Sequence, residues 1–368
     1  MTNEPKISAF DIKMMQRCLQ LARQASGRTS PNPLVGSVIV KNGEIIGEGF
    51  HPKVGQPHAE VFALQEAGSQ AQDSTVYVNL EPCSHHGRTP PCVEALIKAK
   101  VAKVITGMVD PDPRVAGRGI KKLQDAGIEV IVGVEETDCR QLNEAFIHRI
   151  LHQQPLGILK YAMTLDGKIA ATSGHSAWVT GKASRHLVHQ VRSTCDAVII
   201  GGNTVRQDNP NLTTHGLTEH NPLRVVMSRS LDLPSDCNLW NTNIAPTIIF
   251  TEADSNAAQH QKLSSKEINI ITVTALTPKI VMEHLYQQGI SKVLWECGGT
   301  LAAKAIADGT IQKVMAFIAP KIIGGISAPS PVGDLGLTMM TNALQLNQVT
   351  TQIIDSDILI EGYLTSAH

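Results

Sequence analysis

The amino-acid sequence predicts an α/β protein built from two domains. The chain has 368 residues, which is longer than a usual single domain of about 100–200 residues. Short apolar runs that are typical of buried strands alternate with segments of helical periodicity, as in layered α/β domains. Near the middle, a proline ends a helical stretch at Gln153-Gln154-Pro155. We therefore predict one domain over residues 1–152 and a second over residues 153–368.

The first predicted domain begins with a helix. From Asp11 to about Ala25, apolar residues recur at steps of three and four, which places them on one helical face. Strand-like residues then flank Asn42-Gly43, a strong signal for a β-hairpin. Further strands are predicted at Val76–Leu80, Val104–Met108 and Ile128–Val132. Helices are predicted at Glu60–Ala67, Val93–Lys100, Ile120–Asp125 and Thr137–His152.

The second predicted domain repeats this alternation with different residues. Its strands are predicted at Gly157–Met163, Ala197–Ile200, Arg224–Met227, Thr247–Phe250, Lys292–Trp295 and Val314–Ala319. Its helices are predicted at Ala183–Arg192, Pro278–Gln288 and Leu301–Ala307. The segment Leu165–Lys168 contains Asp-Gly and is predicted to be a turn, in which Asp166 has a structural role.

The composition is that of an ordinary globular protein. Hydrophobic residues make up 42 % and charged residues 18 % of the chain, with 29 Gly and 19 Pro, so disordered, collagen-like and coiled-coil classes are excluded. The 32 basic and 33 acidic side chains give a net charge of -1. This balance argues against a polyanionic partner such as nucleic acid.

The cysteines and the N-terminal sequence bear on the cellular compartment. Seven cysteines are spread from Cys18 to Cys297 without the regular short spacing of a disulfide framework, so free thiols or metal ligands are expected. The first residues lack the basic start and apolar core of a signal peptide, so none is expected from them, and no apolar run approaches the roughly 20 residues of a membrane span. We expect a cytoplasmic protein with no membrane partner, and a homo-oligomer, with a dimer as the commonest case.

The clearest chemical signal is a set of residues suited to a catalytic zinc ion. His58-Ala59-Glu60, followed by Pro-Cys pairs at Cys83 and Cys92, contains the elements of the zinc deaminase signature. One imidazole and two thiolates leave a fourth tetrahedral position for water, which is typical of catalytic rather than structural zinc. Zinc lowers the pKa of bound water to about 7, and Glu60 can then exchange protons between the water and the substrate. Taken singly each residue more often serves packing, but the set together indicates a site.

The spacing of the two cysteines, nine residues apart, points to a particular kind of deaminase. Nucleic-acid and free-nucleoside deaminases generally keep a shorter spacing. The strings SPNPLVGSVIV, GFHPKVGQPHAE and EPCSHHGRTPPC closely resemble the deaminase domain of the bifunctional riboflavin-biosynthesis deaminase/reductase family. The resemblance implies a cytidine-deaminase-like three-layer domain that hydrolytically deaminates 2,5-diamino-6-(5-phosphoribosylamino)pyrimidin-4-one.

The same resemblance implies that four further residues line or approach the pyrimidine and its phosphate. These residues are Asn32, His51, His85 and Lys160. For His85 and His86, a solvent-facing position in a loop is an equally good interpretation.

The second domain lacks G-x-G-x-x-G, so a Rossmann dinucleotide site is not supported. The strings LKYAMTLDGKIA, SAWVTG, GGNTVRQDNPNLT and WECGGTLAAKAI instead resemble, in order over Leu159–Ile306, the reductase domain of the same family. This resemblance implies a dihydrofolate-reductase-like domain that uses NADPH to reduce the ribosyl group of the deaminated aminouracil to a ribityl chain. Most of that chemistry belongs to the cofactor, and the protein positions the substrate.

The resemblance also implies the residues of this second site. Cofactor contacts are implied at Ala162, Trp178, Thr204, Asp208, Ser228, Gly298, Gly299, Thr300, Leu301, Ala302, Ala303 and Lys304. Substrate contacts are implied at Ser176, Arg192, Leu212, His215 and Glu296. Lys160 and Asp208 are both candidates for the proton donor.

Three of these positions have a direct chemical interpretation. Gly298 precedes a predicted helix whose free N–H groups could hold a cofactor phosphate, although a plain strand-to-helix turn is the other interpretation. The guanidinium of Arg192 matches a phosphate monoester with two hydrogen bonds. His215 stands where the family commonly has arginine, so the phosphate contact there is weaker or depends on pH.

Two other functional classes are considered. A nucleic-acid or nucleobase deaminase with an appended binding module would need a basic groove and stacking aromatic residues, yet aromatic residues make up only 4 % of the chain. A zinc-stabilised binding protein would need a fourth protein ligand and would have no use for Glu60. The sequence therefore favours the bifunctional enzyme.

Overall fold

A computed structural model describes residues 7–85, 90–253, 255–266 and 268–365. The chain forms two compact units, Met1–Gln153 and Gln154–His368. In the described ranges, no helix has the length and apolar character that crossing a membrane requires.

The first unit is a five-stranded sheet with helices packed on it. The sheet has the order β2-β1-β3-β4-β5, in which β1 is antiparallel to both neighbours and β3, β4 and β5 are parallel. Its strands are β1 (Gly36–Lys41), β2 (Glu44–Phe50), β3 (Thr75–Val78), β4 (Lys103–Thr106) and β5 (Glu129–Val132). Its helices are α1 (Ala9–Arg23), α2 (Ala59–Ala67), α3 (Cys92–Lys98), α4 (Arg118–Asp125), α5 (Glu136–Leu142) and α6 (Glu144–His152).

Local sequence signals account for the first elements of this unit. Ser8 caps α1 through a capping box with Asp11, which satisfies free backbone N–H groups at the helix start. The turn between β1 and β2 is made by Asn42 and Gly43, both with positive φ, as the Asn-Gly signal predicts. A Cβ atom at Gly49 would lie 2.4 Å from the carbonyl oxygen of Ala59, so only glycine lets α2 begin so close to β2. This close approach fixes the start of α2, where His58 lies.

The predicted single helix over Thr137–His152 is wrong, because Asn143 divides it into α5 and α6. The Asn143 side chain is buried and bonds the backbone of Leu34 twice, accepting from its N–H at 2.8 Å and donating to its carbonyl at 3.0 Å. The backbone of Asn143 has φ -101° and ψ 19°, outside the regular helical conformation. Hydrogen bonds from an asparagine side chain to backbone groups compete with the helix at that position. The tertiary contact therefore overrides the helical periodicity.

The second unit is a nine-stranded sheet with the order β10-β9-β8-β7-β11-β6-β12-β14-β13. Its strands are β6 (Leu156–Thr164), β7 (Ala197–Gly201), β8 (Leu223–Met227), β9 (Thr247–Glu252), β10 (Asn269–Val273), β11 (Lys292–Trp295), β12 (Lys313–Ala319), β13 (Leu346–Ile354) and β14 (Asp357–Leu364). Its helices are α7 (Lys182–Ser193), α8 (Gly202–Asp208), α9 (Ala257–Ser264), α10 (Pro278–Gln287) and α11 (Gly299–Ala307). The strands from β10 to β12 are parallel, whereas β14 and β13 are antiparallel additions.

Several elements of this unit are absent from the sequence prediction, namely α8, α9, β10, β13 and β14. Strand β10 is the last strand at one edge of the sheet and has no fully buried residue. Strand β13 lies at the other edge and is exposed along most of its length. Such strands lack the continuous apolar run that reveals a buried parallel strand.

Arg224 on β8 is a completely buried arginine that organises the loop before β9. Its Nη2 atom donates to the carbonyl oxygens of Leu239 and Asn241, both at 2.9 Å, and of Ala245 at 2.5 Å. Burial lowers the pKa of this guanidinium to about 10.

We expect Arg224→Met to lower the stability of the second unit by about 3 kcal/mol or more, because buried carbonyls lose their donors at roughly 1–3 kcal/mol each. Chemical denaturation followed by tryptophan fluorescence measures the change. Lys279→Met, at an exposed position on α10, is the matched control. Equal stability of the two variants would contradict this role.

Two candidate active sites

The first site lies where two helices of the first unit begin. His58 occupies the position before α2, and Cys92 is the first residue of α3. The Nδ1 atom of His58 is 3.3 Å from the Sγ atom of Cys92 and 3.5 Å from that of Cys83. The fold thus brings together three side chains that are up to 34 residues apart in the chain.

The chemistry of these side chains fits zinc. One imidazole nitrogen and two sulfur atoms lie within 4.8 Å of one another, and they are the ligand types that zinc prefers. The backbone N–H of Cys92, at the start of α3, donates to the Cys83 sulfur at 3.3 Å, which favours a thiolate there. Hydrogen bonds from the Cys92 thiol and from His58 lower the pKa of Cys83 to about 4. The three predicted ligands are therefore placed as a metal site requires.

Glu60 lies beside this group on the first turn of α2. Its side chain is buried, and its Oε2 atom has no hydrogen-bond partner among the described residues. Burial, together with the nearby charge of Cys83, raises the pKa of Glu60 to about 7. A carboxyl group with a pKa near neutrality can both accept and return a proton, as general acid–base catalysis requires.

Of the predicted substrate residues in this unit, Asn32 and His51 lie beside the ligand group. Asn32 Nδ2 is 3.0 Å from His51 Nε2, and His51 Nδ1 is 3.1 Å from the carbonyl oxygen of Pro57. The ring of His51 meets that of His58 edge-on at 5.5 Å. His85 is exposed, and His86 lies outside the described residues.

Glu81 is a residue of this site that the sequence reasoning did not single out. Its carboxylate accepts four backbone N–H bonds at 2.8–3.3 Å, from Asp110, Gly117, Gly119 and Ile120. Because Glu81 immediately precedes Pro82-Cys83, these bonds tie the Cys83 segment to the loop before α4 and to the first turn of α4. In the sequence, the position of Glu81 immediately before Pro82-Cys83 is the signal that could have indicated this role.

The second site is a cavity of about 1040 Å³ in the second unit. It lies along the carboxyl ends of β6, β7, β8 and β11, the edge where open α/β sheets bind ligands. It is lined by the predicted residues Lys160, Ala162, Ser176, Trp178, Arg192, Thr204, Asp208, Leu212, Glu296, Gly298, Gly299, Thr300, Leu301 and Lys304. The residues Ser228, Ala302 and Ala303 are buried and do not line it.

Glu296 joins two cationic side chains at one end of this cavity. Arg192 reaches it through two bonds, Nε to Oε1 at 2.5 Å and Nη2 to Oε2 at 3.0 Å. Lys160 Nζ lies 3.6 Å from Oε2. Burial opposes ionisation of Glu296, but the charges of Arg192 and Lys160 outweigh it and lower its pKa to about 2.

This arrangement corrects two sequence-based expectations. The resemblance implies that Lys160 approaches the pyrimidine with Asn32, His51 and His85, but Lys160 belongs to the second unit, where it contacts Glu296. The two N–H donors of Arg192 that would suit a phosphate, on Nε and Nη2, instead bind the Glu296 carboxylate. The contact between Lys160 and Glu296 follows from the pairing of β11 with β6, in which Trp295 and Leu159 are partners and the next residues, Glu296 and Lys160, lie side by side.

The other polar residues around the cavity have well-defined partners. His215 does not line the cavity but stacks on His189 at 3.9 Å, and burial lowers the pKa of both rings. Ser176 donates to Asp208 at 2.9 Å. Asp166 accepts from Thr164 and from the backbone of Gly324, which confirms its structural role in the turn.

A zinc-deaminase ligand set in one α/β unit and a nucleotide-sized cavity in the other define a two-domain metabolic enzyme with two active sites. Comparisons with known proteins agree with this class. Residues 8–108 match the cytidine and deoxycytidylate deaminase zinc-binding region, and residues 155–360 match the RibD C-terminal domain. The chain belongs to the RibD family, whose members are bifunctional riboflavin-biosynthesis deaminase/reductases that use zinc and NADPH.

Individual relatives cover nearly the whole chain. The riboflavin biosynthesis protein RibD of Synechocystis is 61 % identical over 96 % of both chains, and that of Aquifex aeolicus is 39 % identical over 96 % of this chain and 98 % of its own. Among solved structures, Acinetobacter baumannii RibD has a TM-score of 0.86 at 38 % identity, covering 97 % of this chain and 99 % of its own. The predicted fold class and the bifunctional enzyme are thus confirmed, and the nucleic-acid deaminase is not favoured.

Proposed function

We propose that the first domain, residues 1–152, deaminates 2,5-diamino-6-(5-phosphoribosylamino)pyrimidin-4-one and that the second, residues 153–368, reduces the product with NADPH. A Thermotoga maritima structure with a TM-score of 0.85 at 34 % identity, covering 97 % of this chain and 99 % of its own, is described as a deaminase and reductase acting on these compounds. The observation that carries the proposal is the buried Glu60 oxygen, which has no hydrogen-bond partner in the part of the chain that the structure describes and lies beside three side chains that could hold a metal ion.

In the deaminase site, His58, Cys83 and Cys92 would hold zinc. When bound, zinc activates water for attack on C2 of the pyrimidine, the ring carbon that carries the departing amino group. Glu60 takes a proton at Oε2 and returns it to the departing nitrogen, so that ammonia leaves as a neutral molecule. Asn32 and His51 orient the pyrimidine, because they lie in mutual contact beside His58. His85 is exposed and suits contact with the sugar phosphate.

In the reductase site, NADPH when bound supplies the hydride. The start of α11 at Gly298 lines the cavity and has no side-chain cap among the described residues, so its backbone N–H groups suit the phosphates of NADPH. Arg192 and Glu296 hold the substrate, and Ser176 and Leu212 line the same cavity. Lys160 is the better placed of the two candidate proton donors, because burial lowers its pKa, whereas Asp208 already accepts from Ser176.

Removal of zinc separates the two activities. We expect a chelator to abolish ammonia release while NADPH oxidation with the deaminated substrate continues, because the candidate metal ligands His58, Cys83 and Cys92 lie in the first unit. Ammonia is measured by a coupled assay and NADPH by its absorbance. Restored ammonia release on adding zinc is the control, and equal loss of both activities would contradict the proposal.

A homodimer and a cytoplasmic location stay predictions. Size-exclusion chromatography with light scattering tests the first, and fractionation of the native host tests the second.

A further inference from the structure

The cavity of the second unit is lined by more cationic side chains than the mechanism uses. They are Lys160, Arg185, Arg192, Arg206, Arg229 and Lys304. Lys160 and Arg192 are both paired with Glu296. Arg185 lies 4.3 Å over the ring of Trp178 and donates to the carbonyl oxygen of Thr180, and Arg206 pairs with Asp232 at 3.4 Å.

Arg229 and Lys304 differ from these four. Within residues 7–85, 90–253, 255–266 and 268–365, neither side chain has a hydrogen-bond or carboxylate partner. Lys304 lies on α11, close to the Gly298 turn that suits the cofactor's phosphates. Arg229 lies elsewhere, two residues beyond the end of β8, so its charge is available for a different anionic group.

The order of the strands determines where an anionic group bound by Arg229 would lie in the cavity. Along the sheet the order is β8-β7-β11-β6, so Arg229 and the pair of Lys160 and Glu296 lie at opposite ends of the cavity. Because hydride transfer needs the nicotinamide beside the substrate residues, an extended dinucleotide would place its adenosine at the β8 end.

The surroundings of Arg229 suit an adenosine. Apolar cavity residues at this end are Met227, Leu276 and Pro278. Glu252 connects them to Arg229, because its backbone N–H donates to the Arg229 carbonyl at 3.1 Å while its side chain accepts from the Leu276 N–H at 2.9 Å. An apolar slot next to a guanidinium that has no partner among the described residues fits a purine whose ribose bears a phosphate.

We propose that Arg229 binds the 2′-phosphate of the adenosine ribose of NADPH and gives the reductase domain its preference for NADPH over NADH. The inference rests on the placement of the cofactor in this cavity under the proposed function. A phosphate monoester accepts two hydrogen bonds from a planar guanidinium, and NADH lacks this group.

The test uses the full-length protein and two nucleotides, 2′,5′-ADP and 5′-AMP, which differ only in the 2′-phosphate. We expect Arg229→Gln to weaken binding of 2′,5′-ADP by roughly 10- to 100-fold, as for loss of a charge-assisted bond, and to leave 5′-AMP binding unchanged. Isothermal titration calorimetry measures both. The ratio of kcat/KM for NADPH to that for NADH is expected to fall by a similar factor.

Arg206→Gln is the matched control, because it removes the same charge from the same cavity at a side chain that is already paired. It is expected to leave the preference for 2′,5′-ADP unchanged, and thermal melting checks that both variants are folded. Unchanged discrimination in Arg229→Gln, or an equal loss in Arg206→Gln, would overturn the assignment. If the wild-type protein bound neither nucleotide and did not oxidise NADPH, the cofactor's placement would fail and the assignment with it.

Discussion

Ammonia release is expected to fall by roughly 10²- to 10⁴-fold in Glu60→Gln, the range that a general acid–base contributes. The glutamine amide keeps the size of the side chain but cannot accept and return a proton. The buried Oε2 atom has no hydrogen-bond partner among the described residues, so its proton is not committed to another protein group. Burial that raises the pKa of Glu60 to about 7 also reduces the cost of the protonated form at neutral pH.

Three measurements make this prediction specific. Zinc content, read by elemental analysis, is expected to stay at the wild-type level, because His58, Cys83 and Cys92 are unchanged. NADPH oxidation with the deaminated substrate is expected to be unaffected. Glu66→Gln, on the same helix but exposed, is the control and should retain full ammonia release. Near-normal turnover in Glu60→Gln would show that another group moves the proton.

Glu296→Gln is expected to destabilise the second unit by about 3–5 kcal/mol, because it leaves two buried cations without their counter-charge. Arg192 and Lys160 both contact this carboxylate and have mostly buried side chains. Reduction is expected to fail at the same time, since these three side chains form one end of the cavity. Ammonia release, which belongs to the other unit, should be retained.

The pH dependence of the free energy of unfolding identifies the Glu296 carboxylate as the cause of this loss of stability. The pKa of Glu296 is lowered from its usual 4.5 to about 2 in the folded protein. A lowered pKa gives stability that is fully present above pH 4.5 and is lost as the pH falls toward 2. The wild-type protein is expected to lose this contribution on acidification, whereas Glu296→Gln has none to lose.

Denaturant unfolding at several pH values measures the difference. Glu361→Gln removes a more exposed partner of Lys313, 3.5 Å away, and is expected to cost about 1 kcal/mol or less. A similar small cost for Glu296→Gln would contradict the role of the buried ion pair.

Much of the fold was predictable because its signals are local. The Asn42-Gly43 turn, the apolar stripe of α1 and the buried parallel strands each depend on residues that are close in sequence. The break at Asn143 was not predictable, because its cause is a pair of hydrogen bonds to Leu34, 109 residues away. The exposed strand β13 carries little apolar pattern and is held by pairing to β14, which in turn pairs with β12.

The two sites also differ in how far local sequence signals could predict them. For the deaminase site, the residue types and spacings were enough to predict His58, Cys83 and Cys92 as a zinc ligand set with Glu60 as the acid–base residue, because zinc chemistry admits few alternatives. For the reductase site, the residues were predicted from resemblance, but their partners were not. The bond between Arg192 and Glu296 joins positions 104 residues apart.

By itself, therefore, the sequence determined the fold class, the family and the chemistry of the first site. The tertiary structure alone decided that Lys160 joins Glu296, that Arg192 already has a carboxylate partner, and that Arg229 has none among the described residues. The physical reason is that ligand type and turn geometry are properties of short segments. Which charges neutralise each other depends on the order of strands in a sheet, and that order brings together residues from distant parts of the chain.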